Sequence, residues 1–244
     1  MIKTFIFLDL ETTGLITKNY MPKITEMSLI AVSRTAICNT TNISPRILQK
    51  LVLPIHPNVP ISKDIEKLTG LSNENLKEFP CFNCDIYNLV LNFINRLAAP
   101  ACFVAYNGNN YDYPIFLTEF KNIEKNFSEN ILSIDMMHLV KEFFSRKQKP
   151  IKEIDIVQPT VSSSNCTEGR RGSNVRKQLD FTNSRPIDFK LGSVYKHIFG
   201  NNPEEAHSAE GDCLTMIRCA IKLRNFFVEW TDCNAVPLTN YTTK

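Results

Sequence analysis

Residues Phe5-Ile6-Phe7-Leu8-Asp9-Leu10-Glu11-Thr12-Thr13-Gly14-Leu15 decide the fold, because four apolar residues in a row run directly into two carboxylates and a glycine-ended turn. Phe5 to Leu8 are apolar without alternation, the pattern of a strand covered on both faces. Asp9 and Glu11 stand two apart, so they point the same way for as long as the chain stays extended. Two carboxylates on one side of a strand end repel each other unless a cation lies between them, and the hard-oxygen-ligand cation suited to that place is Mg²⁺ or Mn²⁺. An ordinary acidic turn carries the same Asp-x-Glu, so this stretch alone leaves both readings open.

The totals set bounds on what surrounds it. A chain of 244 residues with 43% hydrophobic content can bury a full core, and the simplest expectation is one domain, residues 1–244, with an insertion. No secretory apolar region precedes Asp9 and no run of about eighteen apolar residues follows, so the chain reads as neither secreted nor membrane-bound. Its eight cysteines are then free thiols of a reducing compartment. Cys81-Phe82-Asn83-Cys84 is the single close pair, and no second pair or histidine at ligand spacing follows it, which argues against a zinc site. Charge is unevenly spread. Residues 145–187 hold nine basic and four acidic residues, a net +5 in a chain whose total is +3, so the remainder carries −2. An acidic body with a basic appendage suits a cation-holding site and a polyanionic partner.

Taken outward from the first strand, residues 23–34 and 46–55 read as two further strands in succession, an antiparallel pair. Ser62 caps a short helix that stops at Thr69-Gly70, and Ser72 opens another capped turn. Residues 85–99 are apolar at helical spacing up to Pro100, residues 101–106 form a short buried strand, and helical periodicity resumes from Ile115. Asp112 thus sits where a strand gives way to a helix. Residues 131–136 make one more strand and 137–144 a helix. Residues 150–186 show no sustained period and read as a flexible insertion. A short helix follows at 189–195, and Ser208 caps a last helix from Ala209 to about Trp230, with His207 just before it and Asp212 in its opening turns. Strands first, then strands alternating with helices, predict an α/β domain with a mixed sheet flanked by helices.

Asp9, Glu11, Asp112, Asp212 and His207 therefore all fall at predicted strand ends or helix starts, where open α/β sheets place their sites. Two divalent ions about 4 Å apart in a ring of carboxylates clamp the attacking and leaving oxygens of a phosphodiester, and a histidine can take the proton of the attacking water. Each residue alone has a plainer reading: Asp112 and Asp212 as acids favoured by a helix N-terminus, His207 as a loop residue.

Phe7-Leu8-Asp9-Leu10-Glu11-Thr12-Thr13-Gly14-Leu15, Asn107-Gly108-x-x-Tyr111-Asp112-Tyr113-Pro114 and His207-x-Ala209-Glu210-Gly211-Asp212 resemble, in order, the three motifs of the DEDDh 3′→5′ exonucleases. Within that superfamily they are most similar to the three-prime repair exonucleases, as are the intervening stretches 22–26, 68–72 and 191–195. The resemblance implies a ribonuclease-H-like fold and two Mg²⁺ ions, replaceable by Mn²⁺. It implies release of 5′-mononucleotides from DNA with a free 3′ end, single-stranded or frayed ends preferred, by a cytoplasmic or nuclear homodimer. Asp9 would bridge the ions, Glu11 and Asp212 complete one, Asp112 hold the second, and His207 act as base. Leu15 and Leu68 would pack on the terminal base, with Leu10, Thr12, Asn107 and Tyr111 as further substrate contacts. Tyr106 stands where the family usually has histidine, and Asn110 where a basic residue is frequent. No hydrophobic anchor of the membrane-tethered members follows the domain. Arg170, Arg171, Arg176 and Lys177 are candidate phosphate contacts. A proofreading or RNA-trimming exonuclease of the same superfamily is the alternative, and an inactive nucleic-acid-binding module, which would be expected to have lost a ligand, is a further one.

Overall fold

A computed structural model describes residues 1–40, 45–146, 184–204 and 207–242. The opening apolar run becomes β1 (Thr4–Thr12), joined in one mixed sheet by β2 (Ile24–Ser33), β3 (Ile47–Pro54), β4 (Ala101–Ala105), β5 (Leu132–Asp135) and the two-residue β6 (Val236–Pro237). The strand order is β3-β2-β1-β4-β5-β6. β1, β2 and β3 pair antiparallel, with the β2–β3 pairing expected from their direct succession, while β4 and β5 run parallel to β1. The C-terminal ends of β1, β4 and β5 consequently lie at one edge of the sheet.

Alternation along β1 divides the core. Phe5 and Phe7 face α6 (Met136–Arg146), α7 (Leu191–Phe199), α8 (Ala209–Lys222) and α9 (Arg224–Asn234), with the Phe5 ring edge-on to Phe227 at 4.8 Å. Ile6, Leu8 and Leu10 face α4 (Cys84–Asn95) and α5 (Asp112–Asn122), through Val90, Phe93, Phe116 and Phe120. These side chains are completely or almost completely buried, each contributing roughly 1.5–3 kcal/mol of transfer free energy. That two-sided covering is why β1 is apolar at consecutive positions. Parity then places Asp9 and Glu11 on the Phe7 side, toward α8.

Three helices differ from the sequence reading, α7 by running to Phe199 where an end at 195 was expected. The helix expected over 85–99 ends at Asn95, because residues 97–100 turn their carbonyls to the start of β1: Ala98 O accepts from Thr4 Oγ1 (2.8 Å) and Pro100 O from Lys3 N (2.9 Å). Pro100 also disfavours helix at Ala99. The helix expected over 209–230 breaks at the buried Leu223, and the second piece, α9, docks on the chain start, where Asp232 accepts from Ile2 N (2.9 Å) and pairs with Arg34 (2.9 Å). Apolar periodicity runs through the break and cannot reveal it. The short α1 (Arg34–Asn39), capped by Ser33, and β6 are additions. α2 (Lys63–Thr69) starts at the Ser62 cap and stops at Gly70 in the left-handed conformation (φ 73°), followed by α3 (Asn73–Leu76). Among the described residues no helix is long and apolar enough to cross a membrane.

Candidate active site

The site is assembled by three joints, each built from local chemistry. The first fixes the start of α8. Ser208 Oγ accepts from Gly211 N at 3.1 Å as N-cap, while the Glu26 carboxylate of β2 accepts from Ala209 N at 3.0 Å. Cys213 Sγ, fully buried, lies 3.4 Å from Phe7 O and 3.7 Å from Ser28 O, pinning the helix to β1 and β2. Asp212 is thereby set beside β1, and carboxylate oxygens of Asp9, Glu11 and Asp212 lie within 4.8 Å of one another.

The second joint sets Asp112 at the start of α5. The loop leaving β4 needs a left-handed residue, Asn107 (φ 60°), and then a residue without a side chain. A Cβ on Gly108 would stand 2.6 Å from Ala105 Cβ and 2.9 Å from the Tyr113 ring. Asp135, at the end of β5, accepts from Asn107 N (2.9 Å), Asn109 N (3.3 Å) and Met137 N (2.9 Å), so one carboxylate holds the loop and starts α6. Asp112 ends up 3% exposed, with its Oδ1 buried and without a hydrogen-bond partner among the described residues.

The third joint holds the acidic turn. The Tyr111 hydroxyl donates to Gly14 O at 2.8 Å and lies 2.5 Å from Thr12 Oγ1, and Lys23 N donates to Thr13 Oγ1 at 2.9 Å. Burial pushes the Tyr111 hydroxyl up to about 12, so it remains a donor at neutral pH.

Burial dominates the electrostatics, and crowding of like charge adds to it. Burial raises the Asp9 carboxyl well above its ordinary range, and the charges of Asp112, Asp212, Glu11 and Glu26 raise it further. Burial, with Asp212 and Glu26 adding, lifts Glu11 to about 7. Burial likewise lifts Asp112 to about 8, against backbone N–H groups of Asp112 and Leu10 that pull it down. Asp212 is raised by burial, while the charge and backbone N–H of His207 act the other way. His207 itself is exposed, in the left-handed conformation (φ 69°) immediately before the α8 cap. Four carboxylates that repel one another, one with an unpartnered buried oxygen, form a donor set that fits hard divalent cations. Mg²⁺ and Mn²⁺ both satisfy that chemistry.

The sequence-predicted substrate positions divide by exposure. Leu15 (74% exposed) and Leu68 (52%) are on the surface and take no part in the core. Leu10 is buried among Ile6 and Leu8 and offers the site its backbone only, and the Thr12 hydroxyl is committed to the turn. Asn107 serves the loop through its backbone. The Tyr106 hydroxyl donates to Phe189 O at 2.7 Å, tying the end of β4 to the segment before α7. Arg170, Arg171, Arg176 and Lys177 lie outside the described residues. Sequence reasoning gave no role to Glu26, Asp135, Cys213 or the Lys50–Glu210 ion pair (2.7 Å) that links β3 to the first turn of α8. A signal existed for Asp135, which ends an apolar run just as Asp9 does. Glu26, the one charged residue of β2, was the hint there.

A family model described as exonuclease matches residues 6–168, about two thirds of the chain. Bovine (Bos taurus) three-prime repair exonuclease 1 is 31% identical over 98% of this chain and 69% of its own length, and human (Homo sapiens) three prime repair exonuclease 2 is 29% identical over 94% and 87%. The nuclease domain of 3′hExo, a DEDDh family member solved bound to rAMP, superposes with a TM-score of 0.60 at 13% identity, covering 92% of both chains, a likeness of fold. The fold is thus the ribonuclease-H-like one of the DEDDh exonucleases. The chain belongs to the exonuclease family, among the three-prime repair type, and is a 3′→5′ exonuclease.

Proposed function

We propose that this exonuclease hydrolyses the last phosphodiester of DNA 3′ ends, single-stranded or frayed, and releases 5′-mononucleotides. The observation that carries the reading is the gathering of Asp9, Glu11 and Asp212 oxygens within 4.8 Å beside the buried, unpartnered Asp112 Oδ1. Asp9, Glu11, Asp112 and Asp212 would hold two Mg²⁺ ions, Asp9 between them, and such ions when bound supply Lewis-acid stabilisation of the phosphoryl group. The chain's own residues do the rest. His207, at the exposed lip of the site, takes the proton of the attacking water as the water oxygen bonds to phosphorus and the 3′ oxygen of the penultimate nucleotide leaves. Leu15 and Leu68 offer exposed apolar surface to the terminal base, which any base can occupy. Tyr111 and Thr12 keep the acidic turn in shape.

Further parts of the proposal have separate supports. One domain spans residues 1–244, with the basic segment 145–187 as an insertion that attracts phosphate. The protein acts as a homodimer in the cytoplasm or nucleus. β3 is an edge strand of the sheet, and its Lys50 grips Glu210 at the head of α8, so an edge-to-edge partner would sit one ion pair from the site. Sedimentation at micromolar concentration tests the dimer, and a clean monomer mass removes it.

The test of the activity is digestion of 3′-labelled DNA and RNA oligonucleotides side by side, with Mg²⁺, with Mn²⁺ and with chelator. Cation-dependent mononucleotide release from DNA, lost in Asp9→Asn and Asp212→Asn variants that fold normally, is expected. Faster digestion of RNA transfers the assignment to the RNA-trimming alternative, and activity undiminished in chelator ends the two-metal reading.

A further inference from the structure

Two side chains with metal-binding atoms, chemically unlike the carboxylates, come together where the exit of β3 meets the entry of α4. His56 and Cys81 form an isolated parallel β-bridge, and His56 N donates to Pro80 O at 3.1 Å. This clamp, joining positions 25 apart in sequence, brings His56 Nδ1 to 3.5 Å from Cys81 Sγ. Asn58, in the left-handed conformation (φ 59°), sets its Oδ1 2.9 Å from the same sulfur and 3.1 Å from the same nitrogen. The surroundings are firm. Phe82 packs edge-on against Phe120 at 4.8 Å, and Asn83 caps α4 by accepting from Asp85 N (2.9 Å) and Ile86 N (3.2 Å). Cys84, the first residue of α4, is exposed, and a cavity of about 240 Å³ lined in part by His56, Asn58 and Phe82 opens beside the group.

The C-x-x-C pair argued against zinc in the sequence because no histidine follows it. The fold supplies one from upstream. With Zn–S about 2.3 Å and Zn–N about 2.0 Å, the N···S edge of a tetrahedral zinc site is about 3.5 Å, the separation already present between His56 Nδ1 and Cys81 Sγ. The geometry points to a zinc-type cation site formed by His56 Nδ1, Cys81 Sγ and Cys84 Sγ, with its fourth position open to water. Cys84, exposed at the head of α4 and not gathered with the other two donors, would swing in as the ion binds. Binding displaces the thiol protons of Cys81 and Cys84 to solvent, leaving two thiolates and one neutral imidazole on the ion. Sulfur and nitrogen donors do not suit Mg²⁺, so the site is separate from the carboxylate centre in chemistry as well as place. Occupied, it would clasp the β3 exit to α4.

The test uses the intact protein, stripped with chelator and then held in excess Mg²⁺ so that the carboxylates are occupied. Co²⁺ is titrated as the probe. A near-ultraviolet thiolate-to-cobalt charge-transfer band with strong tetrahedral visible absorption, saturating at a single ion per chain and erased by Zn²⁺, is expected. Cys81→Ser and His56→Gln should each weaken Zn²⁺ binding about tenfold or more, Cys84→Ser should roughly halve the band, and Asp9→Asn should keep it. Thermal melts of the metal-free variants show that each is folded. Absence of the band in the intact protein, or its persistence undiminished in either cysteine variant, overturns the assignment and leaves a Cys81 thiol that donates to Asn58 Oδ1 beside His56.

Discussion

Replacing Glu11 by glutamine removes a carboxylate that the metal-free fold holds at a cost. Burial and the charges of Asp212 and Glu26 lift its pKa from an ordinary 4.5 to about 7. Because the folded-state value is the raised one, the native state binds the proton more tightly than the unfolded chain does. Below the unfolded value both states are protonated and nothing is lost, and as pH rises toward the folded value the unfolded chain alone gains from ionising, so stability falls. At about 1.4 kcal/mol per tenfold in the proton equilibrium, the full penalty is roughly 3 kcal/mol. About 1 kcal/mol of it is present near pH 5 and nearly all near pH 8. Glu11→Gln, uncharged throughout, escapes it. In chelator near pH 8 the variant should melt about 6–12 °C above the native protein, using about 2–4 °C per kcal/mol for a chain of this size, and the gap should shrink severalfold near pH 5. Saturating Mg²⁺ should narrow or reverse the order, since an ion at a hundred times its Kd adds about 2.7 kcal/mol to whichever protein binds it. Differential scanning fluorimetry at the two pH values, with chelator and with Mg²⁺, reads all four conditions. A variant that melts lower than the native protein in chelator near pH 8, or a gap indifferent to pH, would refute the reasoning.

His207→Ala should lower the catalytic rate by roughly 10²–10⁴ and leave oligonucleotide binding intact, as pre-steady-state kinetics beside a binding isotherm would show. Leu15→Ala and Leu68→Ala, at exposed positions, should change stability by no more than about 0.5 kcal/mol while each weakens single-stranded 3′-end binding by about 1 kcal/mol or more. Melting and fluorescence anisotropy separate the two effects. Gly108→Ala forces a methyl against Ala105 and Tyr113, so destabilisation of about 1–3 kcal/mol, accompanied by loss of activity as Asp112 is displaced, is expected from urea titration and digestion assays. Replacing residues 145–187 by a short Gly-Ser linker should make the dependence of log affinity on log salt about three units shallower if four phosphate contacts are lost, at about 0.7 each on single-stranded DNA. Equal slopes for the two proteins would show that the segment does not touch the substrate.

How far the site could be read in advance depends on how each residue is tied to its neighbours in the chain. Asp9 and Glu11 were legible because the strand period of two is local: once Phe5 to Leu8 form a strand, the side on which both carboxylates stand follows. Asp212 was legible because Ser208 caps its helix four residues earlier, and Asp112 because it opens the helix after a buried strand. Glu26 was in view yet without a role, since its task, accepting from Ala209 N, spans 183 positions and depends on α8 docking across β2. Asp135 is the same case in a shorter loop, a strand-end acid whose partners Asn107 and Asn109 are set by the parallel pairing of β4 with β5. The break at Leu223 left no mark because a helix that bends around a core keeps its apolar period on both sides of the bend. His56 is the furthest case. Its approach to Cys81 is made by a two-residue β-bridge outside the main sheet, and no spacing rule for ligands along a chain reaches across a β-bridge. Local periods thus place acids at strand ends and helix starts, while the bonds that turn those acids into one site, and that join His56 to Cys81, are written in strand pairing and in helix docking.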